Sequence, residues 1–274
     1  MLSYIYHHDL DPFIVRFGET FGVRWYGLAY LLGFFCAYLL LRWQQKQGWL
    51  ELDKEQLLDL LLFSAIWMIV GARVGYVIFY NLSAWGDDPF YIFYVWEGGM
   101  SFHGGLLGIL GSLGWYYYRQ KLSFWELADA APLAATPGLM FGRIANFING
   151  ALWGRPTGGE WGVVFPAADS LPRHPSQLYE AALQGPVLLL ILLVIRRYYN
   201  RRAVPGIAFM VSYGILRFGV EFFRAPDPHL GYSWLGLTRG QIFSGLMVVA
   251  GCVVWFLLSR GGLPGAGKNY DELN

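Results

Sequence analysis

The sequence predicts an all-α integral membrane protein of seven transmembrane helices, on three observations. Charged residues make up 14% of the 274, where soluble domains carry about 25%. Hydrophobic residues reach 55%, and mean hydropathy is +0.38. Apolar runs recur near the roughly 20 residues that cross a bilayer. Irregular backbone cannot face lipid, so each run reads as a helix.

The segments run at about 22–41, 57–80, 100–118, 127–150, 178–195, 204–223 and 240–258. The first begins with Val23-Arg24-Trp25-Tyr26-Gly27, at a boundary where aromatic belts are expected. The second carries a weak polar stripe of Arg73, Tyr76 and Tyr80. The third opens with Glu97-Gly98-Gly99-Met100-Ser101-Phe102-His103-Gly104-Gly105 and continues as a small-residue seam, Leu106 to Ser112, suited to close helix contact. The fourth ends in Gly142-Arg143-Ile144-Ala145-Asn146-Phe147-Ile148-Asn149-Gly150-Ala151-Leu152-Trp153-Gly154-Arg155. The fifth opens with His174-Pro175-Ser176-Gln177-Leu178-Tyr179-Glu180, read mainly as structural, with Ser176 as helix cap. The sixth holds Tyr213, Arg217 and Glu221 at four-residue spacing, hence on one face.

Eleven Lys and Arg fall in one set of alternate loops and six in the other, with Arg73, Arg143 and Arg217 inside segments. The richer side is expected to be cytoplasmic, which puts the N-terminus outside and the C-terminus inside. The outer loops are 81–99, suited to a short surface helix, 151–177, a cap with a hairpin at Gly162-Val163-Val164-Phe165-Pro166, and 224–238 with Pro226-Asp227-Pro228. The opening stretch holds Asp9 and Asp11 and lacks the basic region of a cleavable signal peptide.

Composition also excludes. A net charge of +1 points away from nucleic acid, and Cys36 and Cys252 both lie in apolar runs, where a disulfide is not expected. No clustered ligand set suggests a metal, and no phosphate-loop motif suggests a nucleotide. What remains is acid/base chemistry and phosphate recognition without a cofactor.

Charge at membrane depth marks sites. Arg143 and Asn146, three apart, share a helix face with Gly142 and Asn149, and glycines 142, 150 and 154 admit a close neighbour. A guanidinium suits phosphate because its planar fork donates two parallel bonds. The bland alternative is a carboxylate partner on another helix, with Glu126, Asp129 and Glu221 available. Arg217 with Glu221 reads most simply as an ion pair that lets the helix insert. His103 is either a general base or a histidine bonded to a neighbouring carbonyl.

These blocks, in this order, closely resemble the bacterial prolipoprotein diacylglyceryl transferases. The match rests on Gly142 through Gly150 with Trp153-Gly154-Arg155, on Gly98 through Gly105, on His174 through Glu180, and on Arg217 through Arg224 with Pro226-Asp227. It spans essentially the whole chain. The resemblance implies a single inner-membrane domain over residues 1–274, with a periplasmic cap at 151–177. It also implies transfer of the sn-1,2-diacylglyceryl group from phosphatidylglycerol to the thiol of a lipobox cysteine in a prolipoprotein signal peptide, releasing glycerol phosphate. The candidate catalytic residues it implies are His103, the base, with Tyr213, Arg217 and Glu221. The candidate substrate-binding residues are Arg143 for the headgroup, with Tyr26, Gly142, Asn146, Asn149 and Gly154. A lipid or anion transporter with an arginine-lined cavity is the alternative, although the two halves of the chain show no inverted repeat.

One position departs. Family members carry Glu after the Asn-Gly of the signature, and this chain has Ala151. That leaves lipid recognition intact and puts turnover in question. Either another acid, such as Glu221 or Glu160, takes the part, or the position is an engineered, weakening substitution. The retention of the other signature positions favours the second.

Overall fold

The computed structural model describes residues 4–18, 22–95, 98–120, 123–226, 233, 236–263 and 266–268. Glu97, Asp227, Pro228 and His229 lie outside them. Each of the seven apolar segments is helical: α1 Trp25–Lys46, α2 Lys54–Tyr80, α4 Phe102–Gln120, α5 Phe124–Ile148, α6 Ser176–Ala182 running through a π turn into α7 Leu188–Tyr198, α8 Val204–Val220 and α9 Arg239–Ser259. A short α3, Leu82–Asp87, and a 3₁₀ turn, Pro89–Phe93, fill the loop after α2. Among the described residues, four stretches are long and apolar enough to cross a membrane: Trp25–Lys46, Lys54–Tyr80, Ser176–Tyr198 and Arg239–Ser259. Val204–Val220 is apolar but shorter.

The chain divides into two compact units, one of Leu41–Leu127 and one of Met1–Leu40 with Ala128–Asn274. In the first, α2 packs on α4 through glycines. A Cβ on Gly104 would strike the Gly71 carbonyl and come within 3.0 Å of Gly75 Cα, and one on Gly108 would strike the Trp67 carbonyl. Gly111, in the same seam, faces open space. Ser64 and Ser112 hydroxyls bond to each other at 2.9 Å in this contact. Asp53 caps α2 reciprocally with Gln56, satisfying two orphan amides. Arg73 is buried and structural: its guanidinium donates to the carbonyls of Tyr91 and Gly98 at 2.6 Å and of Ile92 at 3.1 Å, tying the loop to α2.

In the second unit, α5 carries Pro132 and Pro137 inside a continuous helix. Pro137 cannot donate to the carbonyl of Leu133, and the buried Thr136 hydroxyl fills that acceptor at 2.9 Å. Asp129 accepts from the amides of Ala203 and Gly206 at 2.9 Å, so α5 places a carboxylate at the positive end of α8. Pro186 lies in the π turn Leu183–Val187, which re-phases α7 relative to α6. Leu133, Leu188 and Leu192 form a fully buried core between α5 and α7, with Phe209, Tyr213 and Leu216 of α8 packed against it.

The strands correct two expectations. Residues 22–24 begin no helix: β3 Gly22–Arg24 pairs antiparallel with β2 Phe13–Arg16. The expected hairpin at Gly162 is a strand, β4 Trp161–Val164, paired in parallel with β1 Tyr4–His7. The hydrogen-bonding groups of the cap are thus met by the N-terminal segment. Arg173 also bridges to Val163 in both directions at 2.9 Å, which closes the cap.

Candidate functional site

Three helices of the second unit bring charge together, and a fourth adds a hydroxyl. Arg143, on α5, places Nε 2.8 Å from Glu180 Oε2 on α6. Arg217, in the last turn of α8, places Nη1 3.5 Å from the same oxygen and 2.6 Å from Glu221 Oε2, one turn along its own helix. Glu221 Oε1 accepts from the hydroxyl of Thr238, the N-cap of α9, at 2.9 Å. Gly240 leaves the room: a Cβ there would lie 2.6 Å from Glu221 Oε1. The cluster therefore reads Arg143–Glu180–Arg217–Glu221–Thr238.

The sequence-derived partner of Arg143 needs correction. It is not Asp129, which is engaged by the start of α8, nor Glu221, but Glu180, which is fully buried. Ion pairs this deep persist because an unpaired charge costs several kcal/mol on the order of desolvation penalties. The closest approach is through Nε. Among the described residues no hydrogen bond is made by the two Nη nitrogens of Arg143, and its side chain keeps 20% exposure. The outer edge of the fork is free to meet an anion.

The signature turn follows directly. The Tyr26 hydroxyl of α1 donates to Asn146 Oδ1, fixing that amide beside Arg143. Asn149 and Gly150 form the turn that ends α5, Gly150 in left-handed backbone at φ +61° with the His8 ring 3.2 Å from where a Cβ would stand. His8 Nε2 donates to the Phe147 carbonyl at 2.7 Å. Asn149 Oδ1 is buried without a partner among the described residues. Ala151 is held through its backbone, its amide donating to Asn146 at 3.0 Å and its carbonyl accepting from Gln177 Nε2 at 2.7 Å. Its side chain is partly exposed.

Gly154 is explained by close approach: a Cβ would strike the His174 carbonyl and lie 2.7 Å from that of Phe223. Its amide donates to His174 at 3.1 Å, and Arg155 donates to Phe223 at 2.9 Å, so the cap is stitched to the end of α8. Gly142 differs, since open space surrounds it. Ser176 does not cap α6. Pro175 occupies that position without a side-chain bond, and the Ser176 hydroxyl donates to the Leu152 carbonyl at 3.4 Å.

Tyr213 shares the face of Arg217, yet its ring stacks on Phe209 at 5.4 Å and packs against the leucine core rather than joining the ion pairs. His103 belongs to the other unit, in the first turn of α4, where its side chain is exposed. Beside the cap, an open and almost wholly apolar groove of about 400 Å³ runs along α6 and α8, lined by Trp161, Tyr179, Leu216, Gly219 and Phe223 among others. Desolvation there pushes the His174 imidazole below its ordinary 6.5.

Sequence reasoning missed Glu180 and Thr238 as members of the cluster. A signal for the first existed. Gln177, Glu180 and Gln184 form a polar stripe at helical spacing on an otherwise apolar helix, and all three are buried.

The family model described as prolipoprotein diacylglyceryl transferase matches residues 12–257. A relative from Oleidesulfovibrio alaskensis, named phosphatidylglycerol-prolipoprotein diacylglyceryl transferase, is 49% identical over 89% of this chain and 91% of its own. Relatives of the same name from Pseudoalteromonas atlantica and Geobacter sulfurreducens are each 46% identical, over 97% and 92% of this chain and 98% and 96% of theirs. The matched span takes in α1 through α8, most of α9, the signature turn and the whole Arg143–Glu221 cluster, and the chain belongs to the prolipoprotein diacylglyceryl transferase family.

Proposed function

We propose that the chain transfers the sn-1,2-diacylglyceryl group from phosphatidylglycerol to the lipobox cysteine of a prolipoprotein signal peptide. The observation that carries this is Arg143: a guanidinium inside a membrane-type helix bundle, steadied by Glu180 through one nitrogen, with its fork edge unfilled. Arg217 lies against the same carboxylate oxygen. The names of the relatives supply the substrates, and the pair of arginines supplies the phosphate chemistry.

The reaction breaks the bond between the glyceryl carbon and the phosphate oxygen and forms a thioether to sulfur. The cysteine thiol, with an ordinary pKa near ~8.5, must lose its proton to attack. His103 is assigned as the base that takes it. The leaving glycerol 1-phosphate gains a negative charge as the bond breaks. Fixed cations in a water-poor site lower the energy of that developing charge more than they would in water. Asn146, oriented by Tyr26, and Asn149, with its unfilled acceptor, line the same turn and are assigned to the glycerol hydroxyls. Gly142 leaves space for lipid, Gly154 lets the cap backbone close on the end of α8 beside the lipid site, Glu221 fixes Arg217, and Tyr213 packs the face that presents it.

The reading takes residues 1–274 as one inner-membrane domain of seven transmembrane helices, N-terminus periplasmic and C-terminus cytoplasmic, with 151–177 as a periplasmic cap over the site. Surrounding membrane lipids then bound the open apolar groove along α6 and α8. The transporter alternative gains nothing from relatives that are named as transferases. Ala151 places a methyl where the resemblance implies a carboxylate, and the assigned turnover is correspondingly reduced. The test is incubation of the purified protein with phosphatidylglycerol and a lipobox peptide. A diacylglyceryl mass increment on the peptide cysteine supports the reading, and its absence from both this chain and Ala151→Glu refutes it.

A further inference from the structure

We propose that Glu180 is a built-in counter-ion that occupies the phosphate position of the free protein and yields it when a phosphate ester binds. The inference deepens the transferase reading and rests on it for the lipid, though not for the anion chemistry. One oxygen of Glu180 lies 2.8 Å from Arg143 Nε and 3.5 Å from Arg217 Nη1, between two guanidinia from different helices. A phosphate oxygen bridging the two arginines would take the same place. The four groups in contact, Arg143, Arg217, Glu180 and Glu221, sum to zero formal charge, so an anion that first meets the open side of Arg143 is held by both arginines only when one carboxylate gives way.

The geometry selects which. Glu221 is held by the Thr238 hydroxyl at 2.9 Å and by Arg217 at 2.6 Å, in a recess shaped by Gly240. Glu180 is fully buried, yet among the described residues neither of its oxygens has a hydrogen-bond partner of good geometry; its contacts are charge alone. Buried carboxylates ordinarily carry hydrogen bonds as well, and one without them is the more loosely held. Its helix also gives it somewhere to turn, since the neighbouring Gln184 amide is buried with both ends unpartnered.

The test pairs a soluble anion with the lipid. Binding of sn-glycerol 1-phosphate to the detergent-solubilised protein is measured by calorimetry for the native chain, Glu180→Gln and Glu180→Asp. The KM for phosphatidylglycerol is measured in mixed micelles with saturating lipobox peptide. Glu180→Gln keeps the shape and removes the competing charge, so the Kd for the soluble anion should fall about tenfold, equivalent to about 1.4 kcal/mol. The KM for lipid should fall with it while kcat does not rise. Glu180→Asp, one methylene shorter, should move both constants in the same direction by less, and it decides the matter if the Gln variant does not fold. A weaker or unchanged Kd in the folded variants overturns the proposal, as does a fall confined to the lipid. If the native chain transfers no diacylglyceryl group, the functional reading fails separately, and the soluble-anion arm still decides the exchange.

Discussion

Replacing Arg143 with Lys separates charge from geometry at the proposed phosphate site. The native guanidinium spends Nε on Glu180 at 2.8 Å and keeps two Nη nitrogens for a ligand. Lysine keeps the positive charge but, with a single nitrogen, cannot donate a parallel pair to phosphate. The loss is one charge-assisted hydrogen bond of about 1.5–3 kcal/mol, which lowers kcat/KM by roughly 10- to 150-fold. Arg143→Ala removes the cation as well and leaves Glu180 with Arg217 alone at 3.5 Å, so it should lower both activity and stability. The assay is diacylglyceryl transfer to a lipobox peptide with phosphatidylglycerol varied in mixed micelles, alongside thermal unfolding. The Lys variant should melt near the native temperature and lose activity. A Lys variant as active as the native chain would refute the fork argument and reduce Arg143 to a bulk positive charge.

Three further outcomes follow from other parts of the molecule. Ala151→Glu should raise kcat, by at least about tenfold if the carboxylate makes one charged hydrogen bond to substrate or arginine; equal rates would show that a carboxylate there is dispensable. Gly104→Ala should lower the melting temperature by forcing a methyl onto the Gly71 carbonyl, an overpacking cost of about 1–3 kcal/mol. Gly111→Ala, in open space on the same helix, should leave it unchanged or slightly raised. His174 is pushed below 6.5 in the folded cap by desolvation, so the unfolded cap binds its proton more readily. Its contribution to stability is complete above pH 6.5 and is lost as pH falls through that value toward the folded pKa. Protection factors for hydrogen exchange at the amides of Arg155 and Val163, corrected for the intrinsic pH dependence of exchange, should therefore fall on acidification, and His174→Phe should abolish that fall.

The helices were legible because lipid leaves the backbone one option, and apolar runs of sufficient length declare it. The Arg217–Glu221 pair was legible for a similar local reason, four-residue spacing on one helix. Tertiary partners were not. Arg143 has three acidic candidates by composition, and the one it meets, Glu180, reads in the sequence as part of a helix start. Only the packing of α6 against α5 decides that, and the sequence offers no local signal beyond the buried stripe of Gln177, Glu180 and Gln184. The parallel pairing of β1 with β4 joins segments some 157 positions apart, from Tyr4 to Trp161, and no pattern within either strand announces it. Tyr213 shows the converse. Spacing put it on the face of Arg217, but that face is wide enough for the tyrosine ring to join the leucine core instead.

The central claim is that the glyceryl–phosphate bond of phosphatidylglycerol breaks here and that sulfur takes the diacylglyceryl group. Phosphatidylglycerol labelled separately in the diacylated glycerol and in the headgroup glycerol tests it in one incubation with a lipobox peptide. The account predicts the first label on the peptide, in a bond that resists mild base, and the second in soluble glycerol 1-phosphate in equal amount, with both reduced in parallel by Arg143→Lys. Appearance of the headgroup label on the peptide, or release of glycerol phosphate without peptide modification, would contradict it.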